Sequence, residues 1–329
     1  MKVGYISIVT NSYNSAEFID RLYHSLNCQT DKNFEWIIVD DGSNDNTIEI
    51  ISSLKFDNIP AVKFYEMPFN SGGGLATSVA MLKAEGDIIV RIDHDDELEP
   101  NAINEIRNSF SYVQNDDKIA GVLYRSTDTF GKKIESLCHG QVFKFSEFIN
   151  TEKKTTDGVL ALKAKIAKQY YSLPERGKIG LSSTTLLDIS RSYYFQFSGV
   201  GSILHYHRDN PNSVTLFPRI SNKTVYSYAR SLDFHDRYYY ASPLKWLRHT
   251  LALFHYSLMV YKSILPVFQY CRRPSTRAWC LLIAPIGIIV SQIKSKPNIV
   301  FYPEEDPLTC LRLVKKIKIV HKKGKIINA

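Results

Sequence analysis

This sequence has few cysteines, and its last fifteen residues contain no Asp or Glu. The five cysteines among 329 residues form no CxxC pair, which argues against a disulfide framework or a zinc site and indicates a reducing compartment. The stretch MKVGYISIVTNSYN contains neither a long apolar segment nor a small-residue cleavage site, so it predicts no signal peptide. A composition with 44% hydrophobic and 22% charged residues is that of a globular protein.

The last fifteen residues contain six lysines and no acid, in a chain of net charge +8. Such a tail suits anionic lipid headgroups or nucleic acid, although it can also serve only to keep a protein soluble. Because the sequence shows no interleaving of aromatic and basic residues and no recognition motif, nucleic acid is not a predicted partner.

The first 125 residues alternate strand-like and helix-like patterns. Short β-branched runs at 5–9, 35–40 and 88–93 are separated by amphipathic stretches. For the first helix the pattern predicts a cap at Asn14 with Glu17, and for the second a cap at Ser43 or Asn44. Strands that alternate with helices predict βαβ units and a mostly parallel sheet.

The rest of the chain is less regular. A helical piece is predicted at 157–170 and another at 182–193, followed by a strand at 199–209. Apolar residues at steps of three and four between Leu244 and Phe268 predict one continuous helical face. The uncharged run 278–290 is too short for a normal membrane span, which needs about 20 residues. We expect these helices to contact a membrane surface, the alternative being that they pack on the catalytic domain.

Polar clusters follow each of the three strands, at 10–14, 40–47 and 93–97. In a parallel sheet, ligands bind at the carboxyl ends of the strands. Three clusters at one predicted sheet edge therefore indicate a binding site.

The cluster DHDDE has more carboxylates than can ionise side by side, so some must share a proton or bind a cation. Mg²⁺ or Mn²⁺ takes oxygen ligands, commonly one or two carboxylates plus phosphate oxygens, and this predicts a metal held with a diphosphate. His94 is interpreted as a packing residue that points away from Asp93 and Asp95.

The cluster DDGSNDNT suits nucleoside recognition, because Asp40 or Asp41 can accept the imide N–H of uracil and Gly42 permits a tight turn. The alternative is a capped helix start, which accounts for Ser43 but not for the two paired acids. The Gly-rich loop 69–78, with Gly73, can let the backbone approach a sugar or phosphate.

These words, in this order and spacing, resemble the N-terminal half of a family 2 glycosyltransferase with the GT-A fold. The resemblance is close over residues 1–125 and looser to about 215. It implies nucleotide-diphospho-sugar donors, a divalent metal and inversion at the anomeric carbon. Within it Tyr13 matches the residue against the base and Asp41 the uracil-binding carboxylate. Asp93 and Asp95 match the DxD pair, and Asp96 the acid near the donor sugar.

The chain departs from the family pattern in three places, the first being Thr10 or Asn11, where the family commonly has Pro. An arginine common in the Gly-rich loop is missing, so that another basic residue such as Arg91 would have to contact the donor phosphate. Ile179, and not an acid, stands directly before Gly180, where the family has its catalytic base. Inversion needs a carboxylate to take the acceptor proton, and Glu175 is preferred over Asp188, the alternative being that Glu175 is only a turn residue.

The stretch HYHRDNPNSVT resembles the closing strand and loop of the family. His205 or His207 could bind metal or diphosphate there, and Arg208 could bind diphosphate. Of these residues, we predict that His207 and Arg208 contact the donor.

We therefore predict an α/β protein with a GT-A, Rossmann-like, mostly parallel sheet and a C-terminal helical extension. Residues 1–218 would be the catalytic domain, with a donor half 1–125 and an acceptor half 126–218, and 219–329 a basic helical region. The predicted activity moves a sugar from a UDP-sugar to a lipid-linked glycan acceptor at the inner face of a bacterial membrane. The alternatives are a scaffold that binds sugar nucleotide without turnover and a phosphohydrolase.

Overall fold

The structure is a computed structural model of the chain. It describes residues 4–128, 137–151, 158–171, 183–207, 209–210, 220–234, 243–293, 299–300 and 314–321. The strands are β1 (Ile6–Ser12), β2 (Phe34–Asp40), β3 (Ala61–Glu66), β4 (Ile88–Arg91), β5 (Glu97–Leu98), β6 (Ile119–Asp128), β7 (Val142–Phe143), β8 (Gly158–Lys163), β9 (Tyr194–Tyr206), β10 (Ile220–Ser221), β11 (Ile299–Val300) and β12 (Lys315–His321).

The helices begin and end as follows: α1 (Ile19–Asn27), α2 (Thr47–Ser53), α3 (Gly73–Lys83), α4 (Ala102–Val113), α5 (Phe145–Thr151), α6 (Ala164–Tyr171), α7 (Ser183–Ser192), α8 (Asn222–Phe234), α9 (Pro243–Tyr261), α10 (Leu265–Tyr270) and α11 (Pro274–Ile293). The described elements fall into two compact units. The first contains β1–β9, β12, α1–α6 and α7 from Thr185 on, and the second contains β10, β11 and α8–α11. The predicted domain boundary after residue 218 lies outside the described residues.

The first unit is built on one mixed sheet with the order β12-β3-β2-β1-β4-β8-β6-β9-β5, in which β7 also pairs with β9. Strands β3, β2, β1 and β4 are mutually parallel, whereas β8 is antiparallel to β4. Every residue of β2 is buried, as expected for a parallel strand covered on both faces. The mostly parallel α/β sheet that the sequence predicts is therefore confirmed.

Burial of large apolar side chains holds this unit together. Trp36, Phe34 and Phe64 are fully buried, and Leu22 and Leu26 of α1 pack into the same core. The indole N–H of Trp36 donates to Thr10 Oγ1 at 3.1 Å, so that the one polar atom of the largest core side chain is satisfied. Packing in this core therefore holds β2 and α1 in place beside the polar clusters.

Both predicted helix caps are wrong. Helix α1 begins at Ile19 and α2 at Thr47. Asn14 instead has a left-handed φ of 48°, and its Oδ1 accepts from the backbone N–H of Asn44 at 2.9 Å. The polar side chains that looked like caps join two loops to each other, which a local capping pattern does not encode.

The helical piece predicted at 157–170 is half strand. Residues Gly158–Lys163 form β8 between β4 and β6, and the helix α6 begins only at Ala164. A short apolar run such as VLALK does not distinguish a buried strand from a buried helix by periodicity. The helix at 182–193 and the strand at 199–209 are confirmed as α7 and the second half of β9, which extends to Tyr206.

The lysine-rich end of the chain contributes a strand to the first unit. Residues Lys315–His321 pair antiparallel with β3, with Val320 opposite Val62. Lys315 and Lys316 are exposed on this strand, and lysines are common on the outermost strands of sheets because they discourage further pairing. This half of the tail therefore has a structural role that its composition did not predict.

The second unit is a helical cluster. Leu253 and Phe254 of α9, Val267 of α10 and Cys280 of α11 are buried in one apolar core. Asp233 at the end of α8 accepts from the backbone N–H groups of Arg272 and Arg273, at 2.6 and 3.1 Å. A buried carboxylate thereby fixes the chain just before α11.

The continuous helical face predicted from Leu244 to Phe268 is wrong. Helix α9 ends at Tyr261, Lys262 has a φ of 56°, and α10 begins at Leu265. Leu244 and Leu265, at the two ends of the predicted face, are 70% and 64% exposed. In contrast, the apolar run 278–290 belongs to a longer helix, α11, which has Pro285 within it.

Candidate functional site

The polar loops after β1, β2 and β4 meet at one edge of the sheet. Strand β1 lies between β2 and β4. The backbone N–H of Asp41 donates to the Ser12 carbonyl at 2.8 Å, and that of Ile92 to the Val9 carbonyl at 3.0 Å. The parallel pairing brings together the three clusters, as their positions after the strands predict.

Asp41 joins the end of β2 to the Gly-rich loop. Its side chain is buried, and its Oδ1 accepts from the backbone N–H of Ser71 at 2.7 Å. The next residue, Gly42, has a φ of 69°, and a Cβ there would lie 2.6 Å from the carbonyl carbon of Phe69. The two loops touch so closely that only glycine fits between them.

Asp40 has a different environment. It is fully buried, and its two carboxylate oxygens accept from the backbone N–H and the hydroxyl of Ser43, at 2.8 and 2.5 Å. Burial raises its pKa above the usual value, partly offset by these hydrogen bonds. Asp40 thus closes the turn after β2, while Tyr13 lies half-buried at the end of β1.

Asn11 connects the end of β1 to helix α3 and strand β4, and no sequence pattern predicts these contacts. Its Oδ1 accepts from Thr77 Oγ1 at 3.1 Å and from Arg91 Nε at 3.4 Å. A Cβ on Gly73, the exposed first residue of α3, would lie 2.9 Å from Asn11 Nδ2. An uncharged residue on a strand end has no pattern that marks it as a centre of contacts.

The acidic loop begins directly after β4. Arg91 forms an ion pair with Asp93, and Asp95 Oδ2 accepts from Asn210 Nδ2 at 2.7 Å. His94 is half-buried in a turn, with its Nδ1 3.3 Å from the Asn11 carbonyl oxygen. The strand alternation that would place His94 opposite to Asp93 and Asp95 ends at Arg91.

Asp96 is the buried acid of this loop, with 3% of its surface exposed. Burial, followed by the charges of Asp93 and Asp95, raises the pKa of Asp96 to about 9. Its Oδ1 accepts from the backbone N–H of His207 at 3.2 Å, and His207 Nε2 lies 3.4 Å from Glu97 Oε2. His205 pairs instead with Glu99, at 2.6 Å. The chosen histidine therefore contacts the acidic loop.

The donor set suits a hard divalent cation that keeps few protein ligands. Asp93 and Asp95 offer carboxylate oxygens at one loop. Burial is the main cause of the raised pKa of Asp96, and the charges of Asp93 and Asp95 add to it, a repulsion that a cation would relieve. Within the described ranges, no group of three or more His, Cys, Asp and Glu side chains is arranged to hold a metal. An ion here would complete its shell with phosphate oxygens and water, as Mg²⁺ commonly does.

Two predicted site residues, Glu175 and Arg208, lie outside the described residues. The alternative base, Asp188, is half-buried on α7, and its Oδ1 lies 3.6 Å from Arg191 Nη1. The described part of the chain thus contains the donor-side candidates other than Arg208, whereas Arg208 and the preferred base Glu175 stay predictions.

Comparison with known proteins agrees with this geometry. Residues 7–166 match the sequence model described as Glycosyl transferase family 2. The chain is 33% identical over 155 residues to a hyaluronan synthase of Pasteurella multocida, covering 47% of this chain and 15% of that protein. It is 33% identical over 102 residues to the poly(ribitol-phosphate) beta-N-acetylglucosaminyltransferase TarS of Staphylococcus aureus, covering 30% of this chain and 18% of TarS.

The fold also matches solved structures. The crystal structure of Staphylococcus aureus TarS 1-349 in complex with UDP-GlcNAc superimposes with a TM-score of 0.56 at 15% identity, covering 87% of this chain and 88% of that one. The fold is therefore that of the GT-A glycosyltransferases, as the sequence predicted. Residues 7–166 therefore form a glycosyltransferase family 2 domain. The chain spans only 15% and 18% of the length of the two curated relatives named above.

Proposed function

We propose that this protein is an inverting glycosyltransferase that moves a sugar from a UDP-sugar to a glycan acceptor in the synthesis of a bacterial cell-surface polysaccharide. The observation that carries the proposal is the meeting of Asp41, the Gly-rich loop and the acidic loop at one sheet edge. Relatives named hyaluronan synthase and TarS support a polysaccharide product. The UDP-GlcNAc complex of TarS supports a uridine donor.

The proposed roles follow from where the side chains lie. Tyr13 would lie against the base and Asp41 would accept the uracil imide N–H, with Asp40 shaping the turn behind it. Gly73, at the N-terminus of α3, leaves room for the diphosphate. Asp93 and Asp95 would hold Mn²⁺ or Mg²⁺, which as a Lewis acid would neutralise the departing diphosphate.

The roles of the remaining site residues are proposed from the sequence. Asp96 would face the donor sugar, and Glu175 would take the proton of the acceptor hydroxyl. His207 and Arg208 would close over the diphosphate. The contact of the His207 backbone with Asp96 supports a position for His207 beside the donor.

Release of UDP tests this proposal. UDP should be released from a UDP-sugar in the presence of Mn²⁺ and a glycan acceptor, and the release should stop with EDTA. Asp95→Asn should lose this release, while Glu175→Gln should still bind donor but not turn over. Binding of UDP-sugar without release on any acceptor would instead favour a non-catalytic scaffold.

We also propose that helix α11 rests on an anionic membrane surface, where a lipid-linked acceptor would be met, and that the protein is cytoplasmic and peripheral to the inner face of the plasma membrane. Its solvent-facing side is apolar, with Leu281, Leu282, Ile286 and Ile289 between 51% and 70% exposed. Residues 237–303 contain nine lysines and arginines and no acid. This combination of apolar face and positive charge is typical of interfacial helices.

Helix length alone does not decide how α11 meets a membrane. Residues Pro274–Gln292 are long and apolar enough to cross a bilayer, and 22% of that segment is buried. We prefer a surface position because its other side packs in the second unit, where Cys280 and Ile283 are buried and Gly287 lies against the ring of Phe254.

Vesicle binding tests the membrane proposal. The full chain should sediment with vesicles that contain phosphatidylserine, and not with phosphatidylcholine alone, at low salt. Leu282→Glu should abolish the binding, whereas Leu244→Glu should not, because Leu244 is equally exposed at 70% but lies on α9. Equal binding by both variants, or protein that resists extraction at alkaline pH as a spanning helix does, would overturn the surface position.

A further inference from the structure

Three separate elements meet at Asp95. These are the acidic loop itself, helix α1 through Arg21, and residues 209–210 after β9. Two of the contacts cross 74 and 115 residues of sequence. The proposed metal ligand is therefore supported by two parts of the chain that lie outside the acidic loop.

Asn210 fixes the carboxylate of Asp95. Its Nδ2 donates to Asp95 Oδ2 at 2.7 Å, and Asn210 is only 3% exposed. A hydrogen bond to one oxygen sets the rotation of a carboxylate about its Cβ–Cγ bond. A buried partner on a metal ligand commonly controls metal affinity in this way, by 10 to 100-fold when it is removed.

Arg21 connects both sides of this contact. Its Nη1 donates to the Asp95 carbonyl oxygen at 2.9 Å, and its Nη1 and Nη2 donate to Asp209 Oδ1 and Oδ2 at 3.1 and 2.7 Å. The planar guanidinium therefore holds the backbone of the acidic loop and the residue just before Asn210 together. A lysine could keep the charge but not this fork.

The pair contributes little to stability. The side chains of Arg21 and Asp209 are 24% and 55% exposed, and solvent-exposed ion pairs contribute little to the free energy of unfolding. One arginine binds both the backbone of the acidic loop and Asp209, the neighbour of the buried Asn210, and this geometry fits a role in positioning.

We propose that Arg21, Asp209 and Asn210 are positioning residues that orient Asp95 for divalent-metal binding with the donor diphosphate. This rests on the proposed function, in which Asp95 is a metal ligand. Arg21 and Asp209 act through Asn210 and through the loop backbone, and none of the three needs to touch the metal.

Manganese affinity, measured by electron paramagnetic resonance with UDP at saturation, tests the assignment. Asn210→Leu, which keeps the size but removes the donor, should weaken Mn²⁺ binding about 10 to 100-fold. Arg21→Lys and Asp209→Asn should weaken it by a smaller factor with an unchanged melting temperature. Arg107→Lys is the control, because Arg107 on α4 forms a comparable ion pair with Asp31 away from this loop.

A double-variant comparison separates positioning from general loosening. If Asp209 acts through Asn210, Asp209→Asn should cause no further loss in the Asn210→Leu protein. UDP affinity without Mn²⁺ should stay within twofold of wild type in every variant. Should Asn210→Leu fail to fold, a loss of Mn²⁺ affinity in Arg21→Lys that is absent in Arg107→Lys decides the question in favour of the positioning role.

The outcomes distinguish the two proposals. Wild-type Mn²⁺ affinity in both Asn210→Leu and Arg21→Lys would overturn the positioning role and leave the proposed function intact. A wild-type protein that binds UDP but no Mn²⁺ would overturn the metal-dependent function, and the positioning role with it.

Discussion

Asp41 accepts a hydrogen bond from the backbone N–H of Ser71 across 2.7 Å. A side chain at the end of β2 thereby sets the path of a loop thirty residues further along the chain. This contact makes Asp41, the proposed uracil-binding acid, and the Gly-rich loop a single structure, so that disturbing either one should affect donor binding.

Replacement of Gly42 tests the closeness of these loops. Gly42→Ala meets two costs, a left-handed φ of about 1–2 kcal/mol and a contact of 2.6 Å with the backbone of Phe69. We expect a loss of unfolding free energy of about 3 kcal/mol or more and weaker UDP binding.

Gly140→Ala is the matched control for this prediction. Gly140 also has a left-handed φ, of 79°, but a Cβ there would meet nothing within 4 Å. Chemical denaturation should therefore show only the conformational cost in this variant. Equal losses in the two variants would mean that the loops are not in close contact at Gly42.

Asp41→Asn should weaken binding of uridine and UDP by about 10 to 100-fold. The reason is that a hydrogen bond to a charged group contributes about 1.5–3 kcal/mol, while the amide oxygen can still accept from Ser71. Calorimetric titration measures the change. Asp45→Asn, in the same loop but exposed, should leave uridine affinity unchanged, and a parallel loss there would argue against a specific role for Asp41.

The parts of the fold that the sequence predicted are those with a local pattern. Buried β-branched runs marked β1, β2 and β4, and polar loops after them marked the site. The contacts of Asn14 and Asn11 were not predicted, because their partners lie 30 or more residues away. Strand β8 was misread since its apolar run has no period of its own, and β12 because its lysines suggested a free tail.

The site shows the same division. Asp41, Asp93 and Asp95 stand in recognisable motifs. In contrast, no sequence pattern marks Arg21, Asp209 or Asn210 as a neighbour of the acidic loop, and only the fold brings them together. The ion pair of Arg91 with Asp93 was not predicted. The sequence singled out Arg91 only as a replacement for the arginine that is missing from the Gly-rich loop.

A buried ion cluster that joins Lys63 of β3 to Glu35 of β2 should make the first unit sensitive to the loss of either partner. Lys63 Nζ lies 2.8 Å from Glu35 Oε2, with side chains 5% and 1% exposed. Lys63→Met should cost about 3–5 kcal/mol, because it leaves the Glu35 charge buried without its partner. Urea denaturation measures the loss.

Asp188→Asn is the comparison for Lys63→Met, because it breaks an ion pair in which Arg191 is 42% exposed. It should cost about 0–1 kcal/mol. A cost for Lys63→Met as small as that would show that the cluster is solvated rather than buried.

The central claim is that the sheet edge at Asp41 and Asp95 binds a UDP-sugar together with a divalent metal. A thermal-shift screen of UDP-, GDP- and dTDP-sugars with Mn²⁺, run on wild type and on Asp95→Ala, tests it most directly. We expect UDP-sugars, and not GDP- or dTDP-sugars, to raise the melting temperature of the wild type, and this rise to be lost in Asp95→Ala. An unchanged UDP-dependent shift in the variant would contradict it.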